Sequence, residues 1–183
     1  MNRTAILVVL VAVVGAGAGW LIGTRVKRPA LPPAPAERPS VPVESVLPDL
    51  RLPQSGGGTR SLAEFRGRPV LVNWWATWCP PCVKEMPLLD AFAKRQGERG
   101  IAVVGIALDD PAKVAEFLQR VPVAYPNLLE APGPGDSSMR LGNTRAVLPY
   151  SVLADAEGRV VATHMGSFDE AELQRWVDGA LGP

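Results

Sequence analysis

VLVNWWATWCPPCVKEMP, residues 70–87, passes from an apolar run through a two-cysteine turn into a helix-like pattern. Residues 69–76 are short, apolar and rich in β-branched and aromatic side chains, the composition of a central strand buried on both faces. From Pro80 to residue 96 the period changes. Met86, Leu89 and Phe92 fall on one side of a helix that Gly97 and Gly100 end. Trp78-Cys79-Pro80-Pro81-Cys82 sits at the handover. Cysteines at i and i+3 on a helix are close enough to bridge. Cys79 falls at the helix N-terminus, where unpaired N–H groups and the macrodipole favour a thiolate, the nucleophilic form of the side chain. Cys82 lies one turn inside and is expected to be more shielded. An outer sulfur that attacks and an inner one that resolves is the asymmetry thiol–disulfide exchange requires.

Plainer readings of the two cysteines fare worse. A structural staple across so short a loop contributes only about 2 kcal/mol even in the chain-entropy model. A zinc site lacks a second ligand pair, because His164 is the one histidine in the chain. Cys79, Cys82 and His164 do form a possible soft ligand set for copper, so copper binding or delivery stands as an alternative of a different class. A peroxidase is disfavoured: Ala76 stands three residues before Cys79, where such sites carry Thr or Ser.

Outward from the motif, strands and helices alternate. Leu50, Leu52 and the glycines of 55–58 suggest a short hairpin, and Ser61 with Glu64 fits a capping box. IAVVGIAL (101–108) is a second buried strand. Asp109-Asp110-Pro111 opens a helix with Val114, Phe117, Leu118 and Val121 on its apolar face, and Pro122 stops it. Residues 131–136 read as a loop. Residues 150–155 and 159–165 flank Ala156-Glu157-Gly158 as a hairpin, and a helix from Asp169 to Leu181 closes the chain. The order β-α-β-α-β-β-α predicts an α/β fold, a mixed sheet with helices on both faces.

Residues 1–24 read as an N-terminal transmembrane anchor or uncleaved signal, residues 25–45 as a Pro-rich linker, and 46–183 as the folded domain. Between Arg3 and Arg25 there is no charge, and as a helix that stretch is about 32 Å long, enough for a hydrocarbon core of about 30 Å. Trp20 stands near its far end, at interfacial depth. Ala16-Gly17-Ala18 resembles a signal-peptidase site, but the apolar run continues through Trp20, Leu21 and Ile22, which favours an uncut anchor. Seven prolines between Arg25 and Pro48 make a semi-rigid, extended spacer. The first 43 residues carry Arg3, Arg25, Lys27, Arg28 and Arg38 against Glu37, which leaves the rest of the chain net acidic and argues against nucleic-acid binding. With 47% hydrophobic and 20% charged residues the chain is not a disordered one.

WWATWCPPCVKEMP (74–87), GIALDD (105–110) and LPYSVLADAEGRVV (148–161) resemble, in order, the membrane-anchored TlpA/ResA-like thiol–disulfide oxidoreductases of the thioredoxin superfamily. The resemblance covers about residues 46–182. It implies a thioredoxin fold with an N-terminal β-hairpin, and a monomer anchored in the inner (cytoplasmic) membrane with its redox domain facing the periplasm. It implies protein thiol and disulfide substrates, often in cytochrome c maturation, and recharging by a membrane electron donor of the transmembrane thiol-transfer type. No cofactor is implied beyond the Cys79–Cys82 disulfide, and no metal. The same motif serves oxidases and isomerases, so direction stays open, with the anchor leaning toward a reductase. Among single residues, Cys79 and Cys82 are the implied catalytic pair, with Pro80 and Pro81 between them. Pro149 matches a cis-proline that presents the preceding backbone, here Leu148, to a substrate peptide; on the residues alone an ordinary trans proline is expected. Trp78 is expected to border the site and contact substrate, while Trp74 and Trp75 alternate toward the core. Pro87 matches a proline within the active-site helix. Glu85 matches a glutamate that tunes thiol pKa or relays protons, against the alternative of a solvated carboxylate in the first helical turns. Asn73 stands where thioredoxins proper carry a titratable aspartate. Tyr150-Ser151 replaces the threonine that often follows the cis-proline.

Overall fold

The computed structural model describes residues 46–182, so the anchor and linker read at 1–24 and 25–45 lie outside the described residues. Among the described residues no helix is long and apolar enough to cross a membrane. The elements are β1 (Arg51–Pro53), β2 (Thr59–Ser61), a 3-10 turn (Leu62–Phe65), β3 (Val70–Trp75), α1 (Pro80–Gln96), β4 (Ala102–Leu108), α2 (Pro111–Arg120), β5 (Asn127–Glu130), α3 (Ser137–Arg140), β6 (Tyr150–Ala154), β7 (Val160–Met165) and α4 (Glu170–Leu181). The first two strands form an antiparallel hairpin, and the other five form one mixed sheet in the order β5-β4-β3-β6-β7. Strands β3, β4 and β5 run parallel, whereas β6 and β7 are antiparallel. The central pair β3 and β4 is buried at every position, which is why both read as unbroken apolar runs.

The expected elements form with their expected ends. Ser61 and Glu64 close the capping box, Asp110 caps α2 with Pro111 behind it, and Asp169 caps α4. Strand β5 is an addition to the expected order. Its four residues follow Pro126 with no alternation, too short a signal to separate from the loop after it. It pairs with β4 along the sheet edge and is bridged by Gln54 from the N-terminal hairpin.

Helical cover is unequal between the faces. Leu71, Val103 and Leu153 pack against Leu89 and Phe92 of α1 and Leu173 and Val177 of α4. On the same face Trp75 and Ala107 meet Met86 of α1 with Val114 and Phe117 of α2. The opposite face, carrying Val70, Val72 and Trp74, is covered by Leu47, Leu50 and the 3-10 residues Leu62 and Phe65. Gly105 is required where it stands. A Cβ there would collide with the Asn127 side chain, which accepts the Trp75 indole N–H at 2.9 Å.

Candidate active site

The sheet brings the C-terminal ends of β3, β4 and β5 and the N-terminal end of β6 to one edge. The two-cysteine turn leaves β3 at that edge. Cys79 is the N-cap of α1, and Pro80 and Pro81 occupy its first helical positions, where a missing N–H leaves no bond unmade. Cys79 and Cys82 form a disulfide with Cα atoms 5.3 Å apart. The Cys82 N–H donates to Cys79 Sγ at 3.3 Å, so the helix N-terminus faces that sulfur as its position predicts. Cys82 is fully buried, but Cys79 is only 4% exposed. The contrast in shielding is thus smaller than expected, and the turn presents an edge of the disulfide rather than an open sulfur. Pro80 and Pro81 are exposed beside it, and Pro87 lies inside α1.

Trp78, adjacent to Cys79, is 66% exposed, while Trp74 and Trp75 are fully buried. The Leu148–Pro149 peptide bond is cis, as the resemblance implies. Leu148 packs against the cluster that contains both cysteines, and Val147 beside it is exposed. Trp78, Val147 and Leu148 therefore supply apolar surface on the segments that bear the disulfide and the cis bond.

Glu85, one turn beyond Cys82, is not a solvated helix residue. It is 2% exposed, accepts from Asn73 Nδ2 at 2.8 Å through one oxygen and from the Phe168 N–H at 3.0 Å through the other. Burial raises its pKa from 4.5 to about 7, against the opposing pull of the Phe168 and Asn73 donors. Asn73 also donates to Ser151 Oγ at 3.0 Å, from directly across the β3–β6 pair. Asn73 and Ser151, the two departures from the familiar pattern, are thus partners in one buried network with Glu85.

A second clamp carries no local sequence signal. Asp109 at the end of β4 accepts from the Thr77 hydroxyl and, at 3.1 Å, from the Thr77 N–H, two residues before Cys79. Burial pushes the Asp109 carboxyl up, but the Thr77 hydroxyl and the Asp110 and Thr77 N–H groups outweigh it and hold the pKa below its ordinary value. Asp109-Asp110 reads as a helix start, yet only Asp110 caps the helix.

His164 is half-buried and stacks on Phe168, with ring centroids 3.9 Å apart. Among the described residues no three His, Cys, Asp or Glu side chains converge to hold a metal ion, so the structure does not bring His164 together with Cys79 and Cys82. The His164 ring packs in the aromatic contact made by β7 and the segment leading into α4.

The Redoxin family model matches residues 42–177. Over 177 residues the chain is 27% identical to the thiol-disulfide oxidoreductase ResA of Geobacillus kaustophilus, covering 96% of this chain and 92% of that one. Among solved structures it is similar to a thiol:disulfide interchange protein of Chlorobium tepidum, with 29% identity, a TM-score of 0.65, and coverage of 76% and 97%. A thioredoxin-related protein from Neisseria meningitidis is 35% identical with a TM-score of 0.60, covering 68% of this chain and 93% of that one.

Proposed function

Because the chain belongs to the Redoxin family and is a ResA/TlpA-like thiol–disulfide oxidoreductase of the thioredoxin superfamily, we propose that it works as a membrane-tethered reductase of protein disulfides on the periplasmic side of the inner membrane. Cytochrome c maturation is one setting for such a reductant. The observation that carries the reading is the Cys79 sulfur at the N-terminus of α1, facing the Cys82 N–H, with the buried Glu85 one turn further along.

In the reduced form the Cys79 thiolate attacks a substrate disulfide. A new sulfur–sulfur bond forms as the substrate bond breaks, and one substrate sulfur departs as a thiolate. Cys82 loses its proton and attacks Cys79 Sγ, releasing the second substrate thiolate and re-forming the Cys79–Cys82 disulfide. Two electrons pass to the substrate and its two thiolates take up protons. Glu85, with a pKa near 7, can accept the Cys82 proton at neutral pH. Trp78 and Leu148 make the surface against which the substrate lies, and the buried cis-Pro149 sets the turn that presents Leu148. The tether expected at residues 1–24 and the spacer at 25–45 support a protein recharged at the membrane by a thiol-transferring electron donor.

The test is capture. Cys82→Ser should accumulate a mixed disulfide through Cys79 when the reduced protein meets a disulfide-bonded protein, seen by mass spectrometry as a linked peptide containing residue 79. Cys79→Ser should trap almost none. The reverse pattern would exchange the roles of the two cysteines, and no capture by either variant would remove the proposed cycle.

A further inference from the structure

Strands β3 and β4 run parallel with Trp75 opposite Ala107, so Thr77 and Asp109, two places beyond each, leave the sheet side by side. Asp109 is buried there. One oxygen of its carboxylate accepts from the Thr77 hydroxyl and N–H, the other from the Asp110 N–H at 2.8 Å. Burial pushes the carboxyl up, but these donors outweigh it and keep it ionised. Capping of α2 does not account for Asp109, because it is Asp110 that accepts from the Ala112 and Lys113 N–H groups. An asparagine could accept from Thr77 without the cost of burying a charge. What the carboxylate adds is a fixed negative charge next to the two-cysteine turn.

That charge reaches the attacking sulfur. The Cys79 N–H donates back to the Ala76 carbonyl at 3.2 Å and closes the turn. Two residues on from Thr77, Cys79 Sγ then lies within about 10 Å of the Asp109 carboxylate. Cys79 is buried as well, so water and salt screen the pair only weakly. At that separation, with an effective dielectric of about 20, a unit charge changes the thiolate fraction roughly tenfold. The other ionisable groups about the turn are Cys82, Lys84 and Glu85 on α1, Asp110 and Lys113 at the start of α2, and Arg145 before the cis bond. Lys84, Asp110, Lys113 and Arg145 are exposed to solvent screening, and Glu85 is tied to Asn73 and Phe168. The α1 N-terminus favours the Cys79 thiolate, and Asp109 opposes it. The balance matters because an attacking thiol works best with a pKa near ambient pH, and a thiolate stabilised far beyond that makes the pair an oxidant.

We infer that Asp109 is a positioning residue whose fixed charge, held through Thr77, offsets the α1 N-terminus at Cys79 and keeps the Cys79–Cys82 dithiol reducing. The inference rests on the reading of Cys79 as the attacking thiol. It separates two contributions: a clamp, which needs the Thr77 hydroxyl, and a charge, which needs the carboxylate.

Two variants test it. Asp109→Asn keeps an acceptor for Thr77 and removes the charge, whereas Thr77→Val removes the hydroxyl and keeps the charge. Alkylation of the reduced proteins by iodoacetamide is followed against pH, with the modified peptide identified by mass spectrometry. In Asp109→Asn the midpoint for Cys79 should fall by about one pH unit, a roughly tenfold larger thiolate fraction below it, while Thr77→Val keeps the wild-type midpoint. The equilibrium with glutathione, in which two glutathione thiols reduce the protein disulfide and become glutathione disulfide, gives a second readout. In Asp109→Asn it should move about tenfold toward the dithiol well above both midpoints and stay unchanged well below them, because the charge acts only on an ionised sulfur. An equilibrium displaced equally at both pH values, an unmoved midpoint in Asp109→Asn, or a matching fall in Thr77→Val would make Asp109 structural only and overturn the inference. If Asp109→Asn does not fold, wild-type protein gives the answer. The NMR signal of the Asp109 carboxyl carbon should move further in the reduced than in the oxidised protein over the pH range in which Cys79 ionises, and identical traces would overturn the inference. Should wild-type alkylation fall on Cys82 rather than Cys79, the reading of Cys79 as the attacking thiol fails first, and this inference with it.

Discussion

Strand β3 shows two different materials on its two sides. Val70, Val72 and Trp74 enter a mainly apolar core, where the Trp74 indole donates to the buried Ser137 Oγ at 2.8 Å. Leu71, Asn73 and Trp75 point the other way, and there Asn73 interrupts the apolar surface to hold Glu85 beside the helix that carries the disulfide. One side is built for burial. The other gives up some burial for a titratable group with a pKa near neutrality. Stability and chemistry are separated across the thickness of one strand.

The largest effect should come from the apolar side. Trp74→Ala removes a fully buried indole and its bond to Ser137, a loss of roughly 3–5 kcal/mol that urea unfolding would read, with the Cys79–Cys82 potential little changed. A comparable change in potential would erase the division between the two sides.

On the polar side the dependence on pH is the signature. The folded pKa of Glu85 is raised above its ordinary value, so its contribution favours the folded state fully below about pH 4.5 and is lost as pH rises toward 7. The stability difference between wild type and Glu85→Gln should therefore shift against wild type by about 3 kcal/mol across that window. A difference that is flat with pH would mean that Glu85 titrates as in water. Asn73→Leu should cost roughly 1–3 kcal/mol, more at pH 8 than at pH 6, because the ionised carboxylate needs the lost donor most. Asp109→Asn exchanges a charged acceptor for a neutral one under Thr77. A loss of about 1 kcal/mol there would speed exchange of the Thr77 amide hydrogen roughly fivefold while leaving core amides unchanged.

Much of this was legible in the sequence because it depended on local signals. The strand at 69–76, the cysteine at a helix start, the caps at Ser61, Asp110 and Asp169 and the hairpin around residues 156–158 all announce themselves within a few residues. Strand β5 did not, being four residues long and held by pairing with β4. The Asp109–Thr77 contact was also hidden, because it joins residues 32 positions apart. For Glu85 the residue pattern alone leaves two readings, and the resemblance favours the functional one. Its helix position allows either a solvated or a buried carboxylate, and Asn73 and Phe168 decide it from elsewhere in the chain. His164 is a metal candidate on residue type alone, and its stacking on Phe168 is set by packing that no local pattern announces.

The central claim is that Cys79 and Cys82 form a reducing dithiol, and the most direct measurement is the equilibrium of that pair with glutathione, read by the intrinsic fluorescence of the neighbouring tryptophans or by thiol trapping. A midpoint near or below about −250 mV is expected of a protein that donates electrons and must be recharged at the membrane. A midpoint near about −120 mV would contradict it, since the dithiol form would then be too stable to reduce its partners and the protein would act as an oxidant.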